Sequence, residues 1–174
     1  MPRSSIARLN IAIANLWLCA WLSACVSSSQ SVERKLERLE LTLARPDGTR
    51  VELSALTDRP TLLFLFATYD SASQLALVPL LQTIERQRDL RVIAVALQPD
   101  AKDFLPMFKR ALSIPFELYL DPDHQLMRGD TALGPVNAVP AFVALDAQGR
   151  IRQTLVGVPN TEQLRLLSDA ARAR

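Results

Sequence analysis

The chain has 174 residues, of which 49% are hydrophobic, and its 20 Lys and Arg outnumber its 18 Asp and Glu by two. The surplus lies at Arg3 and Arg8, because residues 1–24 contain no acid and the remaining residues carry equal numbers of both signs. An electrically balanced body lacks the basic surface by which proteins bind nucleic acids, so we expect no nucleic-acid partner. The length suits a single domain.

Residues 1–24 have the composition of an export signal. Arg3 and Arg8 precede residues 9–24, which are uncharged and mostly apolar, as are the charged and hydrophobic regions of a signal peptide. As a helix, residues 9–24 would be roughly 24 Å long, which is shorter than the roughly 30 Å hydrocarbon core of a bilayer. We therefore predict a signal peptide over residues 1–24 and not a membrane-spanning helix.

Residues 22–25 read Leu-Ser-Ala-Cys and resemble a bacterial lipobox, in which the cysteine receives a diacylglycerol and begins the mature protein. We predict that Cys25 is lipidated, that residues 25–38 form a polar tether, and that the protein faces the periplasm from a membrane. An ordinary secretory signal is the alternative. Val26 differs from the aspartate that retains enteric lipoproteins in the inner membrane, so the resemblance favours the outer membrane.

The body of the chain opens with apolar and polar residues in alternation. The apolar positions lie on both sides of a Pro-Asp-Gly turn, at Leu39, Leu41, Leu43, Val51 and Leu53. Alternation on either side of a turn predicts a β-hairpin. Residues 61–68 and 90–97 are largely apolar runs of strand length, which predicts two central strands buried on both faces.

Helical patterns separate and follow these two runs. Residues 71–88 carry apolar side chains at intervals of three and four, and residues 104–112 show a similar pattern after the second run. Shorter elements complete the chain, with strands at 116–120, 141–145 and 150–156, a turn at 121–124, and helices at 125–133 and 161–173. This alternation predicts an α/β fold in which helices cover both faces of a partly parallel sheet.

The order of the elements and several short motifs resemble the thioredoxin fold. Within it they resemble the TlpA-like branch of the redoxin superfamily, which includes the alkyl hydroperoxide reductase and thiol-specific antioxidant proteins. Residues 64–69, Phe-Leu-Phe-Ala-Thr-Tyr, resemble the stretch before the family's redox motif, and residues 139–142, Val-Pro-Ala-Phe, resemble the segment with its cis-proline. The resemblance implies a three-layer α/β sandwich over residues 39–174, with a mixed central sheet, helices on both faces and an N-terminal β-hairpin.

The chain departs from this family at the redox motif itself. Where the family has Cys-x-x-Cys, the sequence reads Asp70, Ser71, Ala72 and Ser73. Thiol–disulfide exchange requires a thiolate, which neither a carboxylate nor a hydroxyl replaces. The chain contains no cysteine after Cys25, so we predict no catalytic residue, no cofactor and no thiol–disulfide activity.

Two other interpretations of these positions remain open. A frame displaced by one residue, which fits the Cys-x-x-x-Cys of the similar Sco-type copper chaperones, places Tyr69 and Ser73 at the cysteine positions. Asp70 with Ser71 and Ser73 could instead serve as a base and a nucleophile. A helix N-cap, whose oxygen accepts hydrogen bonds from free backbone N–H groups, explains Asp70 without any chemistry and is favoured.

A binding groove is the family feature that the sequence preserves. In redox-active relatives, the backbone just before the cis-proline pairs with an extended substrate peptide. The resemblance therefore implies a groove formed by Tyr69, Asp70, Ser73, Val139 and Pro140. A protein without thiols can keep such a groove and bind by strand addition. The alternative is that Pro140 only shapes the start of the following strand.

The function that we expect is binding or assembly in the bacterial cell envelope, by a thioredoxin-like protein that is held to a membrane through lipidated Cys25. The partner would be an envelope protein or peptide. The enzymatic alternative is a redoxin-type oxidoreductase or antioxidant role in which a partner supplies the thiols. Copper handling through His124 and Met127 is a third hypothesis, but two ligands are too few for a metal site, and we predict none.

Overall fold

The computed structural model describes residues 36–173. The predicted signal peptide, Cys25 and most of the predicted tether lie outside these residues, so the structure does not test them. Among the described residues, no helix is both long enough and apolar enough to cross a membrane.

The described residues form seven strands and four α-helices in the order that the sequence patterns predict. The strands are β1 (Thr42–Ala44), β2 (Arg50–Glu52), β3 (Thr61–Phe66), β4 (Arg91–Ala96), β5 (Leu118–Leu120), β6 (Ala141–Leu145) and β7 (Ile151–Val156). The helices are α1 (Ser71–Arg86), α2 (Ala101–Ala111), α3 (Gln125–Arg128) and α4 (Thr161–Arg172), and a short 3-10 helix covers Leu53–Ala55. The predicted N-terminal hairpin is β1 paired with β2.

All seven strands belong to one mixed sheet in the order β2-β1-β5-β4-β3-β6-β7. The three central strands, β5, β4 and β3, run parallel, and the outer strands pair antiparallel. Each parallel connection contains a helix, α1 after β3 and α2 after β4, as parallel strands require. The sheet is therefore mixed, as predicted.

Successive side chains of the central strands point to opposite faces and build two hydrophobic clusters. On β3, Leu62, Phe64 and Phe66 contact the cluster under α1, α2 and α4, whereas Leu63 and Leu65 contact the cluster on the other face. The second face is covered by α3 and by the segment before β1, through Leu126, Leu39 and Leu41. The three-layer sandwich is confirmed, with the longer helices all on one face.

Several boundaries differ from the sequence predictions. Helix α2 begins at Ala101 and not at residue 104, and β5 begins at Leu118 and not at residue 116. Helix α3 ends at Arg128, well before residue 133. The next residue, Gly129, caps the helix with a φ of +78°, a left-handed conformation that favours glycine. An added Cβ at Gly129 would lie 2.9 Å from Cδ of Pro135. The predicted tether also reaches into the fold, because the Ile151 N–H donates to the Glu37 carbonyl and the Leu39 N–H donates to the Gly149 carbonyl, both at 2.9 Å.

Candidate functional site

The candidate site lies where the parallel strands β3 and β4 end, a position that commonly binds ligands in α/β folds. The loop after β3 leads to Asp70 and α1, and Leu97 and Gln98 follow β4. The loop before β6 comes to the same end of the sheet, because Ala141 at the start of β6 pairs with Leu65 near the end of β3. The topology therefore brings Asp70 and Val139 to one edge.

Asp70 is the N-cap of α1, as the sequence predicts. Its Oδ2 accepts hydrogen bonds from the backbone N–H and from the hydroxyl of Ser73, each at 2.7 Å. The hydroxyl of Ser73 and then its N–H hold the pKa of Asp70 below its ordinary value, since both bonds favour the charged carboxylate. A carboxylate that is held ionised in this way is a poor general base.

Ser73 is fully buried, and its Oγ also accepts a hydrogen bond from the Ala67 N–H at 3.3 Å. A hydroxyl that is buried and already bonded to Asp70 and Ala67 does not reach a substrate, so Ser73 does not fit the role of nucleophile. The contact between Asp70 and Ser73 also favours the frame that places these two residues, and not Tyr69 and Ser73, at the cysteine positions of the family motif. Tyr69, which belongs to the displaced frame, is instead 77% exposed.

The loop before β6 keeps the shape that the resemblance implies. The Val139–Pro140 peptide bond is cis, and the carbonyl of Pro140 accepts a hydrogen bond from the Gly157 N–H at 2.8 Å. The N–H and C=O of Val139 form no hydrogen bond within residues 36–173. Val139 is half-buried and Pro140 is buried, so one residue offers an unpaired backbone donor and acceptor beside a fixed neighbour.

A groove of 250 Å³ runs past this loop. Its walls are contributed by the loops after β3 and β4, by α3 and by the loop before β6, through Ala67, Tyr69, Leu97, Gln98, Pro99, Met127, Val136, Asn137, Ala138 and Val139. Of the residues predicted to form a groove, Tyr69 and Val139 line it, whereas Asp70, Ser73 and Pro140 do not. Met127 was considered as a metal ligand from the sequence, and it lies on the wall of this groove, with 48% of its surface exposed.

Gln98 was not identified from the sequence. Its side chain joins the loop after β4 to the loop after β3. Its Oε1 accepts hydrogen bonds from the backbone N–H of Thr68 at 2.5 Å and from the Thr68 hydroxyl at 3.0 Å, and its Nε2 donates to Asp100 at 3.2 Å. Gln74 adds a bond from its Nε2 to the Thr68 carbonyl at 2.8 Å. The sequence signal was an amide side chain directly after an apolar strand. The structure buries this amide, and buried polar groups need hydrogen-bond partners.

The remaining sequence candidate was a metal site at His124 and Met127. No group of three or more His, Cys, Asp or Glu side chains able to hold a metal occurs within residues 36–173. His124 precedes α3 with a φ of +52° and does not line the groove that contains Met127. The geometry adds no third ligand to the pair.

Comparison with solved structures shows the same fold at low sequence identity. A thioredoxin-family thiol:disulfide interchange protein from Chlorobium tepidum TLS is 14% identical, with 78% of this chain and 95% of that chain covered and a TM-score of 0.63. A DsbF homologue from Corynebacterium diphtheriae is 16% identical, with coverages of 79% and 88% and a TM-score of 0.66. StoA from Bacillus subtilis is 15% identical, with coverages of 76% and 98% and a TM-score of 0.59. These likenesses establish a thioredoxin-like fold.

Sequence comparison identifies the family. No curated protein matches the chain. The family model for AhpC/TSA matches residues 32–154, which are well over half of the chain and include both Asp70 and the Val139–Pro140 loop. The protein therefore belongs to the AhpC/TSA family and has the thioredoxin-like fold of the redoxin superfamily.

Proposed function

We propose that this protein is a lipid-anchored module of the bacterial cell envelope that binds an extended segment of a partner protein and does not exchange thiols. One observation carries the proposal. Val139 lines the groove, and its backbone N–H and C=O have no hydrogen-bond partner within residues 36–173, while Asp70 and Ser73, where the resemblance implies redox cysteines, are hydrogen-bonded to each other.

The binding role is supported by the chemistry of the groove. An extended peptide satisfies an unpaired backbone donor and acceptor by pairing with them as a further strand does. Apolar side chains along the same groove supply contact area, and Tyr69 and Met127 are 77% and 48% exposed. Aromatic residues and methionine are both enriched at binding surfaces, where they bury a large apolar area.

The absence of exchange chemistry is supported by the sequence of the whole chain. Its two cysteines are Cys19, within the predicted signal, and Cys25, the predicted lipidation site. A thioether-linked cysteine has no thiol to ionise, and no other residue type forms a mixed disulfide. Membership of the AhpC/TSA family leaves one enzymatic alternative, in which a partner supplies the thiols.

Site-specific photo-crosslinking of the full chain in living cells tests the binding role. A photoreactive amino acid is introduced singly at Tyr69, at Met127 or at Leu166, which lies on α4, is 46% exposed and does not line the groove. We expect one shared protein adduct from the first two positions and none of it from Leu166. The same adducts from all three positions would contradict the proposal.

Metabolic labelling with a radioactive fatty acid tests the anchor. We expect label in the wild-type protein and in Cys19→Ser, and none in Cys25→Ser. Label that persists in Cys25→Ser would exclude lipidation at that residue.

Insulin reduction separates the binding role from the enzymatic alternative. We expect the full chain to match a buffer control, with or without the captured partner. Turnover that requires both proteins would support a partner that supplies the thiols.

A further inference from the structure

A second cavity opens beside the groove, between the start of α1 and the outer face of α2. We name it the α2 hollow. Its volume is 580 Å³, within the range of about 300–1,000 Å³ that is typical of small-molecule sites. It shares Tyr69 and Gln98 with the groove but is otherwise lined by different residues. Nothing in the proposed peptide-binding role requires it.

The walls of the α2 hollow are apolar and open to solvent. Phe104 and Met107 on α2 are 42% and 58% exposed, and Leu112, directly after α2, is 40% exposed. Tyr69 lines the same cavity from the loop before α1. Four large apolar side chains around one concavity form a patch of the kind that marks a binding site. An apolar ligand would remove their surface from water.

The floor of the hollow is rigidly supported. Phe108 stacks on Phe66 with ring centroids 5.5 Å apart, Phe66 stacks on Phe64 at 5.2 Å, and Phe64 stacks on Phe142 at 4.9 Å. Phe108 lines the hollow, whereas Phe64, Phe66 and Phe142 are buried. This continuous row of rings fixes the floor against the core, so the cavity does not need a ligand to form.

The polar end of the hollow is acidic. Asp100 is its charged lining residue, and no Lys or Arg lines it. Asp100 occupies the N-cap position of α2 but makes no capping hydrogen bond with its side chain. Its Oδ1 instead accepts from Nε2 of Gln98, and its Oδ2 has no hydrogen-bond partner within residues 36–173. Because the Asp100 side chain makes no capping hydrogen bond, its Oδ2 is available to a ligand.

We propose that the α2 hollow binds a cationic amphiphile, a small molecule with an apolar ring or chain that ends in an ammonium group. The apolar part packs on Phe104, Met107 and Phe108, and the cation pairs with Asp100 and with the aromatic faces. An anionic amphiphile is disfavoured because the full negative charge of Asp100 repels it and outweighs the partial positive charge at the N-terminus of α2. The proposal does not depend on the peptide-binding role.

Methionine methyl groups report the two cavities separately. The chain has three methionines, of which Met107 lines the α2 hollow and Met127 lines the groove. The full chain is labelled at the methionine methyl groups, its signals are assigned with Met107→Leu and Met127→Leu, and phenylbutylamine is titrated. We expect a saturable shift of the Met107 signal and an unchanged Met127 signal.

Matched ligands and variants test the two halves of the proposal. Phenylbutyrate has the same phenylpropyl group with a carboxylate in place of the aminomethyl group, and we expect it to bind at least about fivefold more weakly than the amine. Asp100→Asn should weaken amine binding several-fold, and Phe104→Ala should weaken binding of both ligands. Asp103→Asn makes the same charge change on α2 outside the lining and should leave the amine affinity unchanged.

Three results would overturn the proposal. These are the absence of a saturable Met107 shift at millimolar amine, equal affinities for the amine and the carboxylate, and equal losses in Asp100→Asn and Asp103→Asn. The Met127 signal of each variant confirms that the domain remains folded. Failure of this test leaves the photo-crosslinking test of the groove unaffected, because that test also uses Met127, which lines the groove and not the α2 hollow, and has a different readout.

Discussion

The two sides of the candidate site differ in how closely they resemble the family and in how their polar groups are bonded. At the start of α1 the side chains differ, and Asp70 and Ser73 satisfy each other and the free N–H groups of the helix. Before β6 the sequence resembles the family, and the backbone N–H and C=O of Val139 have no hydrogen-bond partner within residues 36–173. The hydrogen bonds of Asp70 and Ser73 thus make a stable helix start without any cysteine, on the opposite side of the site from a loop that keeps its cis-proline.

Restoring both cysteines should have the largest effect. Asp70 and Ser73 stand three residues apart at the N-terminus of α1 with their side chains in contact, so the double variant Asp70→Cys/Ser73→Cys places two thiols in Cys-x-x-Cys spacing at a helix N-terminus, where a thiolate is stabilised. We expect insulin reduction at least about tenfold above the wild type. The single variant Ser73→Cys is the control, and equal activity of the two variants would show that the corner no longer has redox geometry.

Removing the Ser73 hydroxyl should produce the largest loss of stability on the α1 side. Ser73→Ala deletes the bond to Asp70 and leaves the buried Ala67 N–H without this acceptor, at a cost of about 1–3 kcal/mol. Urea unfolding measures the change. Ser71→Ala makes the same substitution at an exposed position of the same helical turn and should be nearly neutral. Equal losses in the two variants would deny Ser73 its structural role.

The conformation of the loop before β6 is supported by the backbone of Gly157, and a substitution at Gly157 tests this support. Gly157 has a φ of +102° and donates its N–H to the carbonyl of Pro140. No atom lies within 4 Å of an added Cβ, so the cost of Gly157→Ala comes from the backbone alone and should be roughly 1–2 kcal/mol. Thermal or urea unfolding checks this value. Gln153→Ala, an exposed change on β7, should stay close to the wild type.

The smallest effect should come from removing the charge of Asp70 while keeping its cap. Asp70→Asn retains an acceptor for the Ser73 N–H, so at neutral pH the loss should be a few tenths of a kcal/mol. The pKa of Asp70 is lowered in the folded state, so its contribution is present above its unfolded pKa of about 3.9 and disappears as the pH falls through its folded pKa. Unfolding of both proteins between neutral pH and pH 3 should show their difference shrinking below about pH 4. A constant difference would contradict the role of the charge.

Hydrophobic periodicity was sufficient to predict most of the fold. The runs that became β3 and β4 are buried on both faces, and the helical spacing of Leu77 and Leu80 places both in the cluster under α1. The end of α3 was predicted too late because apolar residues continue to Leu133, whereas the helix is ended by Gly129 in a left-handed backbone conformation. Glycine is a stop signal that apolar periodicity alone does not reveal.

The candidate site was predictable only in part. The cap at Asp70 follows from local chemistry, since its partner is three residues away. The roles of Gln98 and Met127 depend on the packing of separate loops, because Gln98 bonds Thr68 from 30 positions away and Met127 reaches the groove from α3. Side chains that meet only through tertiary structure leave no spacing pattern in the sequence.

The hydrogen bonds of Glu37 and Leu39 have a consequence for access to the site. They lie beside the turn between β6 and β7, at the end of the sheet where Thr61 pairs with Leu145. The groove lies at the other end, where Leu65 pairs with Ala141. Under the proposed function, attachment through the N-terminal segment and recognition at the groove would therefore lie at opposite ends of the sheet, and a partner bound in the groove would not displace residues 37–39.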